Sequence, residues 1–200
     1  MTSHNENWIR VDEAEDVAAS VRHAVRCYQF VSSDSQVWKW IALALHSALQ
    51  GACVSHLVTT ATPVGAVTER NAAAWISYFE SSRTNAELRP PKTFLMALPD
   101  LVKAARKPHS AGDRSNSDGI AITDDELAWL NRVHDTVRNQ FVHFEPMGWS
   151  LEVSGIPDFG RLVVRMINEI LDIGWAFRHK DAAWKTALHA DLTLLSEVRV

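Results

Sequence analysis

At 200 residues and 22.4 kDa the chain has the size of one domain, long enough to bury roughly 70% of the surface its unfolded form exposes. A composition of 46% hydrophobic and 22% charged residues, with only 8 Gly and 7 Pro, excludes a disordered or fibrous chain. The net charge of -4 resides in residues 1–16, where Glu6, Asp12, Glu13, Glu15 and Asp16 face Arg10 alone; the neutral remainder argues against a duplex-DNA binder, which needs clustered cations to neutralise phosphates.

Residues 1–11 read as an acidic N-terminal tail and 12–200 as a single helical domain. Asp12 with Glu15 three positions on forms a capping pair, and Val17, Val21, Ala24, Val25, Tyr28 and Val31 then recur at helical spacing, predicting a helix near 12–31. A second helix near 35–60 (Trp40, Ile41, Ala44, Leu45, Ala48, Leu49, Ala52) is apolar around most of its circumference and is therefore central. Thr62, Pro63 and Gly65 end it, and Ala72, Trp75, Ile76 and Phe79 mark a third helix near 67–82. After Pro90 and Pro91, Phe94 to Val102 reads as a short turn and then a helix to about 107, with Pro99 as a kink or break. Residues 108–119 contain no large apolar side chain, which predicts a mobile surface loop.

Thr123 and Glu126 form a second capping box and open a helix with Leu127, Leu130, Val133, Val137, Phe141 and Phe144 on one side, stopped by Pro146. Residues 147–153 alternate with period two, as a short extended excursion. Asp158 is expected to cap the next helix (Leu162, Val163, Met166, Ile167, Ile170, Leu171, Gly174 and Phe177 inward), and Trp184, Leu188, Leu192 and Leu195 mark the last. With no second strand to pair with, the class is all-α, an antiparallel up-and-down bundle.

Cys27 and Cys53 cannot build a disulfide framework, which together with the absence of a leader-like start points to the reducing cytoplasm. The most apolar stretch, Val37 to Leu49, is interrupted by Lys39, His46 and Ser47, so no membrane span is expected. Neither zinc-ligand spacing nor a phosphate-cradling glycine loop, G-x-S-x-G or H-E-x-x-H occurs; a cofactor, a metal site and a bundle-core metal enzyme are not expected. The small basic clusters, Lys103, Arg106, Lys107 with His109 and Arg178, His179, Lys180, read as solvated helix ends.

The segment from Arg138 to His143 carries a sparser chemistry. A neutral imidazole can take the proton of an RNA 2'-hydroxyl while a guanidinium stabilises charge growing on the phosphorane, with no metal. On a continuous α-helix, at about 100° per residue, Arg138 flanks the core stripe while Asn139 and His143 point together roughly 140° from its middle. One helix then cannot bring both groups to one phosphate, but two copies around a twofold axis can.

The stretch from Val137 to Phe144, VRNQFVHF, with Asn139 as the polar residue directly after the arginine, resembles the R-x(4-6)-H motif of the HEPN superfamily (higher eukaryotes and prokaryotes nucleotide-binding domains). The apolar run from Ile41 to Gly51 is similar to the early helix of such domains, and the string from Arg138 to Glu152 resembles a group of uncharacterised bacterial HEPN-like proteins. The resemblance implies a homodimer with facing motif helices and, in active members, metal-independent endoribonuclease activity, often as a toxin or defence effector beside an antitoxin or nucleotidyltransferase-like partner. In that frame Arg138 and His143 are catalytic, with Asn139, His134 and Glu145 in support. The alternative it leaves is a non-catalytic helical interaction or nucleotide-binding module. Read without it, His134 is a hydrogen-bonded core histidine, Glu145 a solvated helix-end carboxylate, His46 and His56 buried satisfied polar groups, and Trp149, Trp175 and Trp184 core or interface anchors.

Overall fold

The computed structural model describes residue 9 and residues 11–142, 150 and 152–197. Among these the regular structure is helical, and β pairing is confined to one isolated antiparallel bridge between Val67 and Leu95. Among the described residues no helix is long and apolar enough to cross a membrane.

Helix α1 (Glu13–Tyr28) starts where the Asp12 carboxylate accepts the Glu15 N–H at 2.8 Å, the expected cap. It buries Val17, Val21, Ala24 and Tyr28 against α2 (Val37–Leu57), and the two run antiparallel: Tyr28 meets Trp38 edge-on at 5.5 Å at one end, while Val17 lies against Gly51 at the other. As its composition predicts, α2 is central, contacting α1, α4 and α7 and burying Ile41, Leu45, Leu49, Ala52 and Cys53 completely. The run of alanines along it keeps its surface low, so neighbouring helices can approach closely.

Helix α3 (Glu69–Ser82) occupies the expected residues but not the expected place. Its only buried residue is Asn71, and Ile76 remains 50% exposed. What ties α3 down is polar: Asn71 donates to the Lys92 carbonyl and accepts the Phe94 N–H, both at 2.8 Å. Its aromatic residues contact one another, Trp75 stacking on Phe79 at 5.7 Å, with Tyr78 edge-on to both. In α4 (Leu98–Ala105) Pro99 lies in the first turn, where a missing N–H costs no helical hydrogen bond, so it starts the helix instead of kinking it.

Helix α5 (Asp124–Val133) opens on the full capping box, Thr123 Oγ1 accepting the Glu126 N–H and the Glu126 carboxylate accepting the Thr123 N–H. It does not run on to Phe144 as one α-helix. After Val133 the chain forms a π-helical turn (His134–Arg138) and then α6 (Asn139–Val142). The i→i+5 pairing of a π turn adds about one residue to the turn, so the backbone from His134 to Val142 does not keep the angular register of one continuous α-helix. The period-two stretch at 147–153 lies outside the described residues except for Ser150, Glu152 and Val153, none of which is in a strand.

Helix α7 (Ile156–Ile173) begins one turn earlier than expected: Pro157 sits in its first turn, and Asp158 is not the cap but pairs with Arg161 inside the helix. Gly174, expected on the inward face, ends the helix at φ +84°, a left-handed conformation that suits glycine and lets its N–H reach the Ile170 carbonyl. Phe159, Met166, Ile167 and Ile170 are fully buried. α5 runs antiparallel to α7, with Arg165 to Glu126 at 2.6 Å and Trp129 edge-on to Phe159 at 5.9 Å. The last helix, α8 (Ala182–Ser196), is capped by Asp181 and folds back on α7, Trp184 meeting Phe177 at 5.3 Å and His189 bonding Asn168 at 3.2 Å. Lys180 closes α8 onto α1 by bridging Asp12 at 3.0 Å and Glu15 at 2.6 Å.

Residues 108–119, expected to be mobile because nothing apolar anchors them, have polar anchors instead. Asn116, 7% exposed, accepts the Ala111 N–H through Oδ1 and donates to the Asp118 carbonyl, each at 2.8 Å. The Gly112 N–H reaches the His56 carbonyl at 2.8 Å, and Gly112 lies so close to the Val58 carbonyl and the Trp175 indole nitrogen that no side chain fits there. Trp175 donates to that same Val58 carbonyl at 2.9 Å, which makes it an anchor between the end of α2 and the turn after α7.

Candidate functional site

The motif segment is placed by α5, whose capping box and Leu130 fix its start on the core, and by the π turn that follows. Arg138 closes the π turn and Asn139 opens α6, while His143 and Glu145 lie outside the described residues. His134, the first residue of the π turn, is brought to the central helix: its Nδ1 lies 2.9 Å from His46 Nε2, with the rings stacked at 21° and 5.2 Å between centroids. In a bond between two imidazole nitrogens only one can carry the proton, so one ring donates and the other must accept in its neutral form. The pair therefore joins the two histidines read separately from the sequence, 88 residues apart, into one hydrogen-bonded unit.

Next to this pair is a cleft of about 720 Å³ lined by His46, Ser47, Asp16, Glu13, Asp12 and Val142. Ser47 donates to Asp16 at 3.1 Å. The N–H of Glu15 and the Lys180 ammonium hold the Asp12 carboxyl below its usual range, against the opposing effect of partial burial. The first turn of α1 thus brings carboxylates to the π-turn side of the molecule, a charge that repels a phosphate backbone.

A second polar assembly lies at the C-terminal end of α2. His56 is fully buried, and its Nε2 lies 2.9 Å from Ser110 Oγ. That geometry resembles a serine nucleophile and its base, but the proton positions forbid the role. The Ser110 hydroxyl donates to the Ala105 carbonyl at 2.9 Å and accepts from Asn116 Nδ2 at 3.2 Å, so His56 Nε2 must be the donor to it and cannot act as its base. The backbone N–H groups of Ala111 and Gly112, which an oxyanion would need, are taken by Asn116 and the His56 carbonyl. Burial pushes the His56 imidazole down to about 4, with the charge of Asp113 pulling weakly the other way; its Nδ1 has no hydrogen-bond partner among the described residues. The assembly is a brace between α2, α4 and the 108–119 loop.

The brace shapes a cleft of about 850 Å³ between the end of α2, α3 and the loop. His109 and Arg114, at φ 56° and 61°, are the non-glycine residues in the left-handed region among the described residues, and both line this cleft. Each such residue costs about 1 kcal/mol or more, and strain of this kind collects at functional sites. Arg114 carries no sequence mark of that conformation, and His109, although of a residue type enriched there, stands among nine histidines that give no such signal.

Of the other residues singled out, Trp184 lies against Phe177 and Trp149 lies outside the described residues. Burial pushes the Cys53 thiol up to about 12, which leaves it inert, and raises that of Cys27 as well. No group of three or more His, Cys, Asp or Glu among the described residues is arranged to hold a metal ion. Compared with family models, with curated proteins and with solved structures, the chain finds no match. Its class rests on its own architecture, an all-helical protein built around one buried central helix.

Proposed function

We propose that this chain is a metal-independent endoribonuclease of HEPN type, acting as a homodimer. The observation that carries the reading is the π turn. Such turns concentrate at functional sites, and this one ends on the motif arginine, Arg138, while its first residue is held by a histidine of the central helix. The antiparallel pairing of α1 with α2, of α5 with α7 and of α7 with α8 suits the up-and-down bundle of that superfamily.

In this reading His143, as neutral imidazole, removes the proton of the RNA 2'-hydroxyl, whose oxygen attacks the adjacent phosphorus. Arg138 stabilises the dianionic phosphorane, and the leaving 5'-oxygen takes up a proton, giving a 2',3'-cyclic phosphate and a free 5'-hydroxyl. Asn139 orients one of the two, Glu145 and His134 support them, and the partner protomer completes the cleft. A toxin or defence effector held in check by an antitoxin or a nucleotidyltransferase-like protein in the cytoplasm is the corresponding setting.

The test is cleavage of single-stranded RNA by purified chain in the presence of a chelator. His143→Ala lowers the rate by about 100-fold or more, with thermal stability changed by about 0.5 kcal/mol or less, and an all-deoxy substrate resists. RNA left intact from about pH 5 to 9, or cut equally well by the variant, overturns the reading. The carboxylates of α1 beside His46 favour the second reading, a non-catalytic interaction or nucleotide-binding module, in which case the chain binds its partner with no activity to lose.

A further inference from the structure

The cleft between α3 and the 108–119 loop combines two features that the fold itself does not use. One is apolar surface. The Ile76 and Phe79 side of α3 is not drawn into the core, and with Leu57 at the end of α2 it forms one wall of a space of about 850 Å³, within the usual range for small-molecule sites. The other is convergent positive charge. Arg83, directly after α3, and Arg114 from the loop line the same space, with the His109 imidazole beside them as a further polar group, against Glu80 as the lone carboxylate among its lining residues.

Arg83 and Arg114 have no carboxylate within ion-pair distance among the described residues, whereas Arg106, Arg161 and Arg165 each pair with one. His109 uses Nδ1 to donate to the Arg114 carbonyl at 3.2 Å, which leaves Nε2 as its remaining polar atom. The left-handed backbone at His109 is held by Asn116, whose carbonyl accepts the His109 N–H and whose side chain accepts the Ala111 N–H, and that at Arg114 by its own N–H on the Ala111 carbonyl. Arg114 and His109 are thus carried on a loop braced by its own hydrogen bonds, and a braced loop loses less entropy on binding.

We propose that this cleft is a binding site for a small organic anion, its carboxylate or phosphate head held by Arg83, Arg114 and His109 and its apolar body laid on Leu57, Ile76 and Phe79. Guanidinium groups match such heads bidentately, and an apolar wall without polar partners selects for the attached body. Two sources offer this chemistry: a medium-chain acyl carboxylate and a nucleoside monophosphate. The site lies apart from the motif segment, and the proposal is independent of the ribonuclease reading.

Calorimetric titration of the full chain, without RNA, with decanoate and with adenosine 5'-monophosphate tests it, decanol and adenosine being the uncharged controls. One or both anions bind at one per chain with Kd below about 1 mM; decanoate alone assigns an acyl carboxylate, the nucleotide alone a nucleoside phosphate. Arg83→Gln and Arg114→Asn each weaken binding by about tenfold or more, the loss of a charge-assisted hydrogen bond, and asparagine at 114 still accepts the left-handed backbone. Ile76→Glu, at an exposed position that does not endanger the fold, weakens it as well. The proposal is overturned if neither anion binds at about 1 mM, if the uncharged controls bind as tightly, or if both arginine variants bind like the unaltered chain. Because the readout is binding and not cleavage, its failure leaves the ribonuclease reading to its own test.

Discussion

Acidification from about pH 7.5 to 5 should weaken the fold through one side chain, His56. Its imidazole is fully buried, and burial depresses its pKa to about 4 from an ordinary 6.5. A base with a depressed folded-state pKa remains neutral in the folded chain while the unfolded chain already takes up a proton. Its contribution is therefore whole above about pH 6.5, falls as the pH drops, and is exhausted only below about pH 4, where both states are protonated. The full shift corresponds to about 3 kcal/mol, of which about 2 kcal/mol is lost by pH 5. The control is His56→Gln, whose amide nitrogen can take the place of Nε2 as donor to Ser110 but does not titrate. Urea unfolding of both proteins across this range gives the difference curve, in which the carboxylates common to both cancel. For a chain of this length a 2 kcal/mol loss lowers Tm by roughly 4 to 8 °C. If the two proteins lose stability in parallel, differing by less than about 0.5 kcal/mol at pH 5, His56 is not the buried neutral donor assigned to it.

Asn116→Ala removes the acceptor of the Ala111 N–H and the donor to the Asp118 carbonyl and Ser110 hydroxyl, and should cost about 3 kcal/mol by thermal unfolding and open residues 108–119 to limited proteolysis. Cleavage there in the unaltered chain at the same rate would show that the polar anchors do not order the loop. Gly112→Ala places a methyl group against the Val58 carbonyl and the Trp175 indole nitrogen, and should cost about 2 kcal/mol and alter tryptophan emission as the Trp175 hydrogen bond breaks. Unchanged stability and emission would contradict that close approach.

Two stretches of α2 contrast in what they offer to chemistry. Near its middle, His46 and His134 share a single hydrogen-bonding proton next to acidic residues of α1. At its C-terminal end, the apparent serine and histidine dyad is consumed by bracing, because each donor of the group already has a backbone or side-chain acceptor. Proximity of reactive residue types is thus a weaker guide than the count of protons available to them.

What the sequence by itself determined was whatever depends on near neighbours along the chain. The Asp12 and Thr123 caps, the buried character of α2 and the stripe of α7 (Leu162, Val163, Met166, Ile167, Ile170) follow from hydrogen bonds three residues apart and apolar spacing of three and four, so they were legible in advance. The tertiary structure alone decided what depends on distant partners. The same apolar periodicity that sends α7 into the core leaves the Ile76 side of α3 outside it, because the core surface near α2 is already occupied by α1, α4 and α7. The π turn replaces an α-helix that local pattern favoured, and it falls where His134 meets His46, 88 residues away. Residues 108–119 looked free because apolar burial was the anchor sought. They are tied instead by directional hydrogen bonds to groups of α2 and α4, 54 residues back in the case of His56 and Ser110, and hydrogen bonding of that kind leaves no periodic mark in a sequence.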